Sequence, residues 1–161
     1  MSNSLERKQS RPAAPPASAP GDELDHGTLP DLLGYQLRLA QLAVFRDFGA
    51  TAGDLGASPG RFGMLVLIEA NPGVTQSRLA RAVGLDRSTM VAVLDQLEGR
   101  GFLERRQGED RRTNGLWLTK EGRALLAKMK PRVSAHEDRI AHRLSEEERR
   151  TLLALLARLN G

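Results

Sequence analysis

The amino-acid sequence predicts a mainly α fold with a small β wing: a winged helix-turn-helix plus an α-helical dimerisation region built from the N- and C-terminal helices. Three observations support this fold class. Two short helical patterns follow residue 75 and are separated by a turn at Gly84. Two strand-like segments then flank a polar loop, as in a β-hairpin. Residues 29–48 and the last segment of the chain carry strongly apolar helical patterns that must be covered by another surface.

Composition narrows the class of protein. The 161 residues include 24 Lys and Arg against 20 Asp and Glu, for a net charge of +4. Residues 75–132 hold thirteen basic and seven acidic side chains, so the positive excess lies there, as in phosphate-binding proteins; an ordinary solvated surface is the alternative. The absence of cysteine excludes disulfides and thiolate metal sites. Because there is no apolar run of about 18 residues and no signal-like segment in residues 1–28, we expect a cytoplasmic protein without membrane contact.

The N-terminal part divides into two segments. Residues 1–28 contain four prolines among Ala, Ser and charged residues, a composition that predicts a disordered tail. Residues 29–57 are predicted to form a dimerisation helix over residues 29–48 and a glycine-rich connector. Since the helix is apolar nearly all round, a second copy of the chain is the expected cover, and a central helix of a monomer is the alternative.

Residues 58–119 form the predicted winged helix-turn-helix. Ser58 and Pro59 supply an N-cap and a first-turn proline for its first helix. Thr75 caps the next short helix, which ends at Gly84, and Asp86 caps the helix after it. The apolar residues of that last helix recur at core spacing, and they are Met90, Val93, Leu94 and Leu97.

The opposite face of the Asp86-capped helix differs from an ordinary exposed surface. It carries small or polar side chains in place of Lys and Glu, which lets a helix backbone enter the major groove of a nucleic-acid duplex. These side chains are Ser88, Ala92, Asp95 and Gly99, flanked by Arg87, Val91 and Gln96.

A basic hairpin follows. Segments 102–107 and 114–118 have strand character, and the loop between them reads Asp110-Arg111-Arg112 at its tip. A guanidinium on such a tip can enter the minor groove, where negative potential is enhanced, and a carboxylate can hold it in place. Most tripeptides of this kind form surface ion pairs, but the position after a helix-turn-helix favours a wing.

Residues 120–161 are predicted to add further dimerisation helices. Thr119 caps a long helix that reaches about residue 143, and Pro131 should kink or divide it. Ser145 and Glu148 form a capping box for the last helix, whose five leucines exceed what one narrow contact can bury.

From about residue 32 to residue 159 the chain resembles the MarR family of bacterial transcription regulators. The most specific matches are the run 79–105, the tripeptide at the wing tip, and the step Leu118-Thr119-x-x-Gly122 that leaves the wing. The resemblance implies a homodimer with interlocked first and last helices that binds a pseudo-palindromic operator in double-stranded DNA. The residues expected to contact DNA are Gln76, Ser77, Arg87, Ser88, Thr89, Val91, Ala92, Asp110, Arg111 and Arg112.

The resemblance also implies a repressor that is released from DNA by a small anionic effector, here an aromatic carboxylate or its coenzyme A thioester. Arg38 and Arg46 stand out, because guanidiniums on an apolar helix can pair with a carboxylate or a phosphate. Intersubunit ion pairs with Asp31, Asp47 or a terminal-helix acid are the alternative. The residues expected to line the effector site are Tyr35, Arg38, Leu42, Phe45, Arg46, Phe62, Met64 and Leu65.

Other classes of function fit the residues less well. The three histidines, His26, His136 and His142, form no catalytic or metal motif, and with no Cys nucleophile we expect neither an enzyme nor a metal or cofactor. A protein-interaction helical dimer without sequence-specific DNA binding is the alternative to a regulator. Trp117 lies in a strand where the family usually has aliphatic residues, and we expect it at the base of the wing or in a pocket wall.

Overall fold

The computed structural model describes residues 24–107 and 114–160. Within these ranges it confirms a mainly α fold with a small antiparallel sheet whose strand order is β1-β3-β2. The predicted disordered tail falls mostly on residues 1–23, outside the described residues. The elements are α1 (Leu33–Ala52), α2 (Pro59–Ala70), β1 (Val74–Thr75), α3 (Gln76–Val83), α4 (Arg87–Gly99), β2 (Leu103–Gln107), β3 (Asn114–Leu118), α5 (Lys120–Ile140) and α6 (Glu146–Leu159).

The predicted N-caps start the helices where the sequence places them. Each capping oxygen accepts a hydrogen bond from the backbone N–H three residues later, which satisfies a donor that the helix itself leaves unpaired. In α6 the Glu148 carboxylate also accepts from the Ser145 N–H, completing the capping box. The caps are Ser58, Thr75, Asp86, Thr119 and Ser145.

The core lies between α2, α3, α4, the sheet and the first half of α5. The stripe predicted on α4 faces it: Met90, Leu94 and Leu97 are buried, and Val93 is half-buried against them. These helices and strands therefore hold the exposed face of α4 rigidly outward. The largest fully buried apolar side chains are Leu65, Ile68, Leu79, Met90, Leu94, Leu103, Leu116, Leu126 and Met129.

The N-terminal helix differs from the prediction at both ends. Leu29–Asp31 forms a 3-10 turn, and extended backbone at Leu32 separates this turn from α1. At the other end α1 extends into the glycine-rich connector and ends at Ala52, where a 3-10 turn at Gly53–Leu55 follows. Phe48 and Ala52 are buried, and the Thr51 hydroxyl donates to the Asp47 carbonyl at 2.7 Å, so packing extends the helix beyond what glycine alone favours.

Two further elements correct the prediction. The two-residue strand β1 pairs with β3 and is too short to show a period-two pattern in the sequence. Helix α5 runs without division through Pro131 and ends at Ile140 rather than near residue 143. Buried Met129 and His136 anchor the helix on either side of the proline, and tertiary packing offsets the hydrogen bond that proline removes.

Close backbone approaches fix the base of the wing. The Trp117 ring lies over Gly73, which adopts φ +83°, and over Gly115, while the Arg106 guanidinium lies 5.5 Å from the ring centroid. Trp117 is thus a packing residue at the wing base. At the start of α5, a Cβ on Gly122 would collide with the Phe102 carbonyl, so the helix can meet this chain segment only with glycine there.

Candidate nucleic-acid interface

The first turn of α4 is organised by Asp86. Its Oδ1 accepts hydrogen bonds from the Ser88 hydroxyl at 2.5 Å and from the Thr89 N–H at 2.9 Å. Its Oδ2 accepts from the Thr89 hydroxyl at 2.6 Å. Hydrogen bonds to the carboxylate hold the pKa of Asp86 well below its ordinary value. The bond from the Ser88 hydroxyl has the largest effect, and those from the Thr89 hydroxyl and N–H come next. Ser88 and Thr89 are therefore fixed in one conformation while staying exposed.

An open groove of about 820 Å³ runs beside this turn. It brings together four residues that were predicted to contact DNA, on α3 and α4, and adds Arg81 and Asn114, which sequence reasoning missed. Arg81 follows Ser77 by four residues, a spacing that places both on one helical face and could have revealed it. The groove is lined by Thr75, Gln76, Ser77, Ala80, Arg81, Gly84, Leu85, Arg87, Val91 and Asn114.

The two halves of the exposed α4 face differ in their intramolecular contacts. Toward the N-terminus of α4, Arg87 and Ala92 are exposed, and Arg87 forms no ion pair with any described residue. Near the C-terminus, Asp95 pairs with Arg105 of β2 at 2.7 Å. Arg105 also pairs with Glu98, so one guanidinium joins α4 to the wing strand. The C-terminal half of the face is therefore held by intramolecular contacts.

A further polar contact joins α4 to α2. The Arg61 guanidinium donates to Gln96 Oε1 at 2.8 Å and to the Gly56 carbonyl at 2.9 Å. Gln96, predicted to flank the groove-facing surface, therefore serves as an acceptor within the domain.

The predicted wing tip, Asp110, Arg111 and Arg112, lies outside the described residues. The strands leading to it are described: Leu103 pairs with Leu118 and Gln107 with Asn114 in one continuous antiparallel register. β2 and β3 are therefore antiparallel neighbours in the sheet, and the wing tip stays a prediction.

The predicted effector residues of α2 and of the part of α1 after Gln36 differ in burial. Phe62 is half-buried on α2, whereas Met64 and Leu65 belong to the core. Leu65 lines a cavity of only about 10 Å³, space for roughly one water molecule. The remaining residues on α1 after Gln36 are exposed, namely Arg38, Leu42, Phe45 and Arg46. The effector site stays a prediction.

Tyr35, another predicted effector residue, contacts the segment that precedes α1: its hydroxyl lies 3.0 Å from His26 Nδ1.

Asp47, an alternative partner for the α1 arginines, is engaged elsewhere. Its carboxylate accepts from the Arg139 guanidinium at 2.9 Å and lies 2.6 Å from Nδ1 of buried His136. The Arg139 hydrogen bond, followed by that of His136, lowers the pKa of Asp47 to about 2. Arg38 and Arg46 have no ion pair with the described residues.

Two classes of site do not occur in the described ranges. None of their helices is long and apolar enough to cross a bilayer. In the same part of the chain, His, Asp and Glu side chains do not gather in a group of three or more that could hold a metal ion.

Comparison with known proteins places these features in a family. The model of the MarR family matches residues 58–113. A putative transcriptional regulatory protein for the hcr operon of Thauera aromatica is 42% identical over 146 residues, covering 89% of this chain and 88% of that protein.

Solved structures show the same likeness. The transcriptional repressor CouR bound to a 23-mer DNA duplex matches with a TM-score of 0.82 and 43% identity, covering 87% of this chain and all of that one. CouR bound to p-coumaroyl-CoA matches with a TM-score of 0.80. The PcaV regulator from Streptomyces coelicolor, with its natural ligand, matches with a TM-score of 0.77 and 26% identity over 85% of this chain and 97% of that one. This chain belongs to the MarR family and is a transcriptional regulator.

Proposed function

We propose that this protein is a homodimeric repressor that binds a pseudo-palindromic DNA operator and is released by a small anionic effector. The observation that carries the DNA-binding part is the open groove between α3 and α4, which presents small, polar and basic side chains on a rigid scaffold. An α-helix presenting such a face fits the major groove, and phosphate contacts come from basic residues around it. The DNA-bound structure of the relative CouR supports this reading.

The terminal helices supply the proposed dimer contact. Leu42 and Phe45 of α1 and Leu152, Leu153 and Leu155 of α6 are each 45–59% exposed, a concentration of large apolar side chains that a monomer rarely leaves open. A second copy would cover them. Two-fold symmetry would also present two α4 helices to successive major grooves.

DNA binding is tested by selecting bound fragments from random duplex DNA. We expect a two-fold symmetric consensus and an affinity that falls steeply with salt. Arg87→Ala should weaken binding, whereas Arg150→Ala, a matched charge removal on α6, should not.

Arg111→Ala should weaken operator binding and reduce the salt slope by about one unit. If Arg111→Ala leaves both unchanged, the wing assignment is wrong.

The proposed effector is an aromatic carboxylate or its coenzyme A thioester. Support comes from Arg38 and Arg46, which have no ion pair with described residues, and from CouR bound to p-coumaroyl-CoA. Such a ligand must bind the DNA-incompetent dimer more tightly, because equal affinity for both states shifts nothing.

The effector proposal is tested with p-coumaroyl-CoA, p-coumarate and coenzyme A as probes. We expect one of the first two to raise Tm and to release operator DNA. Arg38→Ala should reduce that response, while Arg158→Ala on α6 should not. Unaltered ligand affinity in Arg38→Ala removes this arginine from the site.

A protein-interaction dimer is the second candidate, favoured by the exposed leucines of α6. It predicts a stable dimer that ignores duplex DNA even at low ionic strength. The selection experiment therefore separates the two functions.

A further inference from the structure

The Asp86 carboxylate determines which hydrogen-bonding groups the start of α4 can offer. An ionised carboxylate only accepts hydrogen bonds, so the hydroxyls of Ser88 and Thr89, at 2.5 and 2.6 Å, must both donate to it. These contacts lower the pKa of Asp86, so its carboxylate is ionised at neutral pH. The proton positions thus follow from chemistry alone.

Each hydroxyl has one proton and two lone pairs. Once the proton is donated to Asp86, the exposed side of Ser88 and Thr89 presents lone pairs only. Within residues 24–107 and 114–160, neither hydroxyl oxygen makes another hydrogen bond. Both side chains therefore face outward as hydrogen-bond acceptors.

This polarity limits what the two side chains can recognise. Phosphate oxygens, guanine O6 and N7, and thymine O4 are all acceptors and do not match a lone pair. The major-groove donors are the amino groups of adenine N6 and cytosine N4. The Asp86 carboxylate also already occupies the N–H of Thr89, and its negative charge opposes a phosphate at this helix end.

We propose that Asp86 is a specificity-determining positioning residue: it fixes Ser88 and Thr89 as acceptors, so that the start of α4 selects adenine or cytosine over guanine or thymine on the contacted strand. The inference rests on the proposed DNA-binding function. It adds that these two hydroxyls read bases and do not anchor the backbone.

Asp86→Asn tests the proposal. The Asn oxygen can still accept the Thr89 N–H and keep the helix cap, while its NH₂ group donates to a hydroxyl oxygen. Because the oxygen that keeps the cap also accepts the Ser88 hydroxyl, the NH₂ group takes the place of Oδ2 and faces Thr89. The reversal therefore frees the Thr89 hydroxyl proton for donation to a base, while Ser88 still donates to the Asn oxygen. We expect the fragments selected by the wild type to favour A or C at one or more half-site positions, and those selected by Asp86→Asn to shift toward G or T at the position that Thr89 contacts. Ser88→Ala and Thr89→Val should lose the preference without reversing it.

A base analogue gives a direct measurement. Replacing the identified adenine by unsubstituted purine, or the cytosine by 2-pyrimidinone, deletes only the amino group. We expect wild-type affinity to fall by about 5- to 150-fold, and the affinity of the Ser88→Ala, Thr89→Val double variant to change little. The salt slope of this double variant should equal that of the wild type, because no phosphate contact is lost.

The outcomes separate this inference from the proposed function. If the wild type selects a symmetric operator but Asp86→Asn selects the same bases, or the analogue costs no affinity, the Asp86 role is overturned and DNA binding stands. A reduced salt slope in Ser88→Ala would also overturn it. If the protein ignores duplex DNA at low salt, both fail. Should Asp86→Asn not fold, Asp86→Ser keeps a capping oxygen without a fixed charge and should weaken the A or C preference.

Discussion

The domain between α2 and the first half of α5 and the two terminal helices are both rich in large apolar residues, yet they bury them differently. Leu94 and Leu126 in the domain core are 0% exposed, whereas Leu153 and Leu159 of α6 are 59% and 55% exposed. In the core, four helices and a sheet converge on the same side chains. The α6 leucines have no comparable cover within the described chain. The difference teaches that one region completes its own core, whereas the other leaves large apolar side chains exposed, as the proposed dimer contact requires.

The strongest test of the self-contained region is Gly122→Ala. The new Cβ would collide with the Phe102 carbonyl, and backbone has little freedom to move away. We expect the free energy of unfolding to fall by about 3 kcal/mol or more, measured by urea unfolding. Gly60→Ala on α2 is the control, because nothing lies within 4 Å of its added methyl group, and it should not destabilise. Equal stability of both variants would contradict the close approach.

A charged side chain introduced on the exposed face of α6 should weaken the proposed dimer more than it destabilises the fold. Leu153→Glu places a carboxylate in the proposed dimer contact. We therefore expect the dissociation constant of the dimer to increase by at least about 100-fold, with helical content retained. Analytical ultracentrifugation over a concentration series measures this. As a contrast, Leu126→Ala should lower the free energy of unfolding by about 2–5 kcal/mol. An unchanged dimer in Leu153→Glu would show that α6 lies outside the interface.

Acid should weaken the contact of Asp47 on α1 with Arg139 and His136 on α5. Because the pKa of Asp47 is lowered to about 2 in the folded state, its ionised form stabilises the fold above its ordinary pKa of 3.8, and this contribution is lost as pH falls toward 2. We expect the stability gap between wild type and Asp47→Asn to close over that window in urea unfolding. Asp138→Asn, at an exposed site on α5, is the control for removal of a carboxylate. A gap independent of pH would contradict the assigned ion pair.

The smallest effect on stability is expected from Arg105→Gln. Its ion pairs with Asp95 and Glu98 are partly exposed, so we expect a stability loss below about 1 kcal/mol. Operator affinity should nevertheless fall, because the guanidinium joins α4 to β2. Lys130→Gln, which breaks the distant pair with Glu69, is the control for charge and should leave operator affinity unchanged. If both variants bind DNA equally, the α4–β2 link does not position the interface.

Much of the fold could be predicted because the relevant interactions are local. The caps at Thr75, Asp86 and Ser145 depend on hydrogen bonds within four residues, and the core stripe of α4 depends on helical periodicity. The extension of α1 to Ala52 could not be predicted in this way, since buried Phe48 and Ala52 outweigh the low helix propensity of glycine. Strand β1 was missed because its two residues pair only with the distant β3.

The candidate site also combines features that local sequence predicts with contacts that only the folded chain brings together. From its sequence alone, the chain determined a capped helix with a small, polar face, because capping and periodicity need only near neighbours. Tertiary structure alone decided that Asp95 and Gln96 are held by Arg105 and Arg61, and that Arg81 and Asn114 join the groove. The physical reason is distance along the chain: these contacts join residues from separate elements, and no local preference encodes which side chains meet once the core is packed.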